Sequence, residues 1–86
     1  MAGYVAEVYL SRLDAATLGD LSTRLRQASE ELSRGGAPVV YVRSVFLPED
    51  ETCFHFFEAP SAEVIRECCS LLGLARPRIT TATSEE

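Results

Sequence analysis

Residues 52–61, TCFHFFEAPS, gather the chain's one histidine, one of its three cysteines, three of its four phenylalanines and a carboxylate. Imidazole and thiolate suit transition metals, and imidazole with carboxylate suits general acid–base work. A strand that carries a hydrogen-bonded core histidine explains the same residues without chemistry. The cysteines and histidine occur only as Cys53-x-His55 and Cys68-Cys69, so no zinc-type CxxC spacing exists. No P-loop, GxGxxG or GxSxG motif occurs.

The elements that must position these residues follow from periodicity. Tyr4 to Ser11 is rich in β-branched and aromatic residues and stops at Arg12-Leu-Asp, a first strand. Leu18, Leu21, Leu25, Ala28 and Leu32 recur at helical spacing up to Arg34, with Thr17 and Asp20 as a capping box and Gly35-Gly36 as the stop. Pro38 to Leu47 reads as a second strand, Pro48-Glu-Asp-Glu51 as a polar turn, and the stretch from Thr52 as the third strand. Ser61 caps a shorter helix whose apolar stripe is Val64, Ile65, Cys68, Leu71 and Leu72. Ile79 to Thr83 supplies an edge strand. The order βαββαβ implies an α+β, ferredoxin-like domain over residues 1–83, a four-stranded antiparallel sheet with both helices on one face. Residues 84–86 form a frayed tail.

An even-length turn centred on Glu49-Asp50 pairs residues whose numbers sum to a constant, so Ser44 opposes His55, Arg43 opposes Phe56 and Tyr41 opposes Glu58. Val42, Ser44, Phe46, Cys53, His55 and Phe57 then face the helices. Tyr41, Arg43, Val45, Phe54, Phe56 and Glu58 lie on the open face, joined from the first strand by Val5, Glu7 and Tyr9. Glu7, Tyr9, Tyr41, Arg43, Phe54, Phe56 and Glu58 are therefore the expected binding surface, with Arg43 as its guanidinium. A monomer rarely leaves such an aromatic patch wet.

With 86 residues, 47% of them hydrophobic and 24% charged, the chain is one globular domain with a thin core. A partner subunit is the expected source of further burial. The net charge of −5 argues against nucleic acid and anionic membranes. No apolar run reaches a membrane span and the start lacks a positively charged signal region, so a cytoplasmic location is expected. An odd cysteine count with an adjacent pair writes no disulfide framework. All eight basic residues are arginine, a bias of GC-rich bacterial genomes.

The run from Tyr41 to Arg66, with its centre Pro-Glu-Asp-Glu-Thr-Cys-Phe and Phe-Glu-Ala-Pro-Ser-Ala-Glu, followed by Leu72-Gly-Leu and Arg78-Ile, resembles a small bacterial family common in actinobacteria. Some of its members are called nickel-binding proteins and most form a domain of unknown function. The resemblance implies a ferredoxin-like homodimer and no known reaction. It also implies histidine where this chain has Arg43 and Cys68, and cysteine where it has His55. A nickel site built on those histidines would lack two ligands here, and Cys68, Glu7, Glu58 and His55 are the donors left for a different one.

Two function classes follow. One is a dimer that binds a metal, nickel by resemblance, or a small molecule in a cavity on the open sheet face, without catalysis. The other is a small dimeric α+β-barrel enzyme of cyclase, monooxygenase or isomerase type, with Glu7, Arg43, His55 and Glu58 as its acid, base and anion-binding groups.

Overall fold

The computed structural model describes residues 1–10, 15–74, 76–83 and 85. The elements run β1 (Ala2–Tyr9), α1 (Ala15–Arg34), β2 (Val40–Leu47), β3 (Thr52–Ala59), α2 (Ala62–Leu71) and β4 (Arg78–Thr81). The four strands form one antiparallel sheet in the order β2-β3-β1-β4. This α+β arrangement is consistent with a ferredoxin-like fold. The end expected for the first strand at Ser11 to Asp14 lies outside the described residues, as do Ser84 and Glu86 of the expected tail.

Leu21, Leu25 and Ala28 of α1 and Ile65, Cys68 and Cys69 of α2 are buried in one core with Ala6, Tyr41, Phe57 and Ala59 of the sheet. Both apolar stripes thus do what their spacing implies, with two corrections. Leu71 is exposed at the end of α2, and Cys69, which the stripe left out, is as fully buried as Cys68. Helix α1 stops at Arg34 and the chain turns at Gly36, where φ is 96° and the amide of Ala37 donates to the carbonyl of Leu32, a turn that an L side chain would strain. Its start departs from expectation. The helix begins at Ala15, so Thr17 lies inside it rather than at a capping position. Ser61 does precede α2 in extended conformation, but its side chain makes no capping bond.

The turn between β2 and β3 closes with the amides of Asp50 and Glu51 donating to Leu47 and Pro48, and it sets the expected register. Phe46 pairs with Cys53, Ser44 with His55 and Arg43 with Phe56. Between Tyr41 and Arg43 the ladder slips by one residue, leaving Val42 as an extra residue in a β-bulge. Because side chains alternate with a period of two, the slip reverses the faces beyond it. Tyr41 therefore opposes Phe57, not Glu58, and turns into the core, where its ring meets that of Phe57 edge-on at 5.6 Å. Val42, expected beneath the helices, is exposed.

Candidate functional site

The sheet has one covered and one open face. Ala6, Val8, Cys53, His55 and Phe57 are buried on the helix side. Val5, Glu7, Tyr9, Val45, Leu47, Phe54 and Phe56 have the opposite parity, and among the described residues no helix packs over them. Tyr9, Val45 and Leu47 are exposed and both phenylalanines are half-buried. Six of the seven residues expected to share this surface do so; Tyr41 is the exception, displaced by the bulge.

Arg43 lays its guanidinium over the Phe56 ring at 5.1 Å, a cation–π contact that leaves its N–H edge free to bind. At the end of the sheet where β1 begins and β3 ends, Arg43, Phe56 and Glu58 line a concavity of about 520 Å³ with Gly3 and Thr81. That volume lies within the range of small-molecule sites. Among the described residues neither Arg43 nor Glu58 has an ion-pair partner. The cavity thus presents one cation, one anion and an aromatic floor.

Glu7 lies further along the sheet and its cation is not Arg43. Register places Arg78 of β4 beside it, and the two approach to 3.9 Å. With Arg78 largely exposed, this pair contributes little to stability. Arg78 was missed because the pairing of a four-residue edge strand with β1 has no local signal in the sequence. Arg43 is consequently not the sole guanidinium of the open face.

The metal candidates lie on the other side. His55 is fully buried, with Nδ1 2.6 Å from Ser44 Oγ and 3.8 Å from Cys53 Sγ. Ser44 Oγ is in turn 2.5 Å from the hydroxyl of Tyr41. Among the described residues Nε2 of His55 has no hydrogen-bond partner. Burial lowers the His55 pKa to about 4, so the ring is neutral at pH 7. Cys68 is buried against α1, its thiol 4.0 Å from the carbonyl oxygen of Leu25. Burial raises the Cys53 and Cys68 thiols to about 11 and Cys69 to about 12, the last helped by Cys68 and opposed by Arg66. Thiolates are the metal-binding form, and such values disfavour them.

Among the described residues, no three His, Cys, Asp or Glu side chains come together in a group that could hold a metal ion. Glu7 and Glu58 stand on the open face while His55 and Cys68 face the helices, so the sheet itself separates the four donors. The residues present do not fit a nickel centre of that composition. Among the described residues no helix is long and apolar enough to cross a membrane. Comparisons with known protein families, with curated proteins and with solved structures find no match to this chain.

Proposed function

We propose that the protein is a homodimer in which two open sheet faces meet and enclose a small-molecule site, with Arg43, Phe56 and Glu58 as its ligand-contacting residues and no catalytic step. The observation that carries this reading is the uncovered face itself. Tyr9, Val45, Leu47, Phe54 and Phe56 form an apolar surface on a domain whose own helices both lie on the other side. Covering that surface removes apolar area from water at roughly 25 cal/mol per Å², a drive toward self-association that a small domain with a thin core otherwise lacks. Kinship with the small bacterial family that residues 41–66 resemble belongs to the same reading, since that family implies a ferredoxin-like dimer. Metal binding does not, because the donors lie on opposite sides of the sheet.

Sedimentation equilibrium tests the assembly. The wild-type protein is expected at twice its 9.4 kDa mass at micromolar concentration. Phe56→Glu, which places an unpaired carboxylate in the centre of the face, should give a folded monomer. A wild-type monomer contradicts the proposal.

A further inference from the structure

A second concave surface lies between α1 and β2, adjoining the open-face concavity at Val42 and Arg43. This groove, about 330 Å³, is walled by Leu18, Ser22, Arg26, Tyr41 and Ser44, with Arg43 at its rim. Among the described residues no carboxylate lines it, although the chain as a whole carries a charge of −5. The Arg26 guanidinium stands 5.0 Å above the Tyr41 ring. Stacking fixes the plane of the guanidinium and leaves its N–H donors at the ring's edge.

Behind the groove wall, Tyr41, Ser44 and His55 form a line of three groups joined by two hydrogen bonds. Such a line has two directions. Tyr41 can donate to Ser44 and Ser44 to Nδ1 of His55, or Nδ1–H can donate to Ser44 and Ser44 to Tyr41. A neutral imidazole carries its proton on one nitrogen only. The first direction therefore puts an N–H on Nε2, which is buried and has no partner among the described residues. The second leaves only a lone pair there. Orphaned buried N–H groups are rarer than unsatisfied acceptors, so the second direction is favoured. Its consequence falls at the other end of the line. Tyr41 accepts from Ser44, and its own phenolic hydrogen is left without an acceptor among the described residues, in a side chain that lines the groove.

We propose that the groove between α1 and β2 binds a phosphate group of a small molecule, held by the guanidinium of Arg26 and the outward-turned O–H of Tyr41. A phosphoryl oxyanion accepts from both, and charge-assisted bonds to guanidinium are among the strongest that proteins make. The groove leaves room for the body of the molecule against Leu18. Its two donors, Arg26 and Tyr41, lie outside the open sheet face, which the groove meets only at Val42 and Arg43.

Titration of the isotopically labelled protein with inorganic phosphate, phenyl phosphate and benzoate, followed by NMR, tests the proposal. Phenyl phosphate should cause saturable shifts at Arg26 and Tyr41, with His55 protonated on Nδ1 throughout. Inorganic phosphate should perturb the same residues more weakly, and benzoate less than phenyl phosphate. Arg26→Gln, an exposed position whose change leaves the core alone, and Tyr41→Phe, which keeps the ring, should each weaken phenyl phosphate by about tenfold, the loss of one bond to a charged group. Arg24→Gln, a control on an exposed position of the same helix, should leave it unchanged. Three results overturn the proposal: no saturable shift, an equal loss in Arg24→Gln, or a ring protonated on Nε2. Benzoate binding as tightly as phenyl phosphate overturns the assignment to phosphate.

Discussion

The hydroxyl of Ser44 and Nδ1 of His55 stand 2.6 Å apart on paired strands, the shorter of two polar contacts, with Cys53 Sγ at 3.8 Å, to a ring sealed in the core whose Nε2 has no partner among the described residues. This arrangement accommodates neutral imidazole, and among the described residues no carboxylate contacts the ring to support imidazolium.

Acid should therefore weaken the fold through this one residue. An unfolded histidine titrates near 6.5, while the folded one titrates at about 4. Between those values the unfolded chain binds a proton that the folded chain refuses, so stability falls as pH drops from about 6.5 to about 4. The loss approaches about 3 kcal/mol at the lower end. Urea midpoints measured from pH 7 to pH 5.5, a range above most carboxylate titration, should fall for the wild type and stay level for His55→Cys. A level wild-type curve would show that the ring takes up its proton freely.

The bulge makes a paired prediction for adjacent residues. Tyr41 is 4% exposed and Val42 46% exposed. Tyr41→Ala should cost about 3–5 kcal/mol, as removing a buried aromatic ring does, and Tyr41→Phe about 1–2 kcal/mol for its hydroxyl. Val42→Ala should stay within about 0.5 kcal/mol. In a register without the slip the ranking reverses, so thermal melts of these three variants decide the face of each residue.

Gly3 is fixed by a close approach. A Cβ there would lie 2.5 Å from the carbonyl oxygen of Ala82, whose amide donates to the carbonyl of Gly3. Gly3→Ala should push the segment after β4 away from β1 and cost about 1–3 kcal/mol. Hydrogen exchange at the Ala82 amide should accelerate in the variant; unchanged protection would mean that the two segments are not in contact.

Cys53, Cys68 and Cys69 are free, fully buried and held as thiols by raised pKa values. A thiol reagent at pH 8 should react slowly with the native protein and count three thiols once it is denatured. A count of one would reveal a disulfide, which the geometry of adjacent helical residues 68 and 69 opposes.

Much of this arrangement is legible in the residues. The even turn between Leu47 and Thr52 fixes the pairing of Ser44 with His55, and alternation then places Glu7, Phe54 and Phe56 on one face. The bulge is not legible, because Val39-Val-Tyr-Val42 is apolar at every position and carries no alternation by which a slip would show. Nor is the partnership of Glu7 with Arg78, which depends on a long-range pairing of a short edge strand. The Tyr41–Ser44–His55 line was hidden for the first of these reasons: with Tyr41 assigned to the open face, its hydroxyl could not reach Ser44.

The central claim, that the open sheet face is the surface where two copies meet, is tested most directly by isotope-filtered NMR on a mixture of labelled and unlabelled protein. The account predicts contacts between protomers from Val45, Phe54 and Phe56, and none from the exposed faces of α1 and α2. Inter-protomer contacts confined to the helices, or none at all at concentrations where the labels mix, would contradict it.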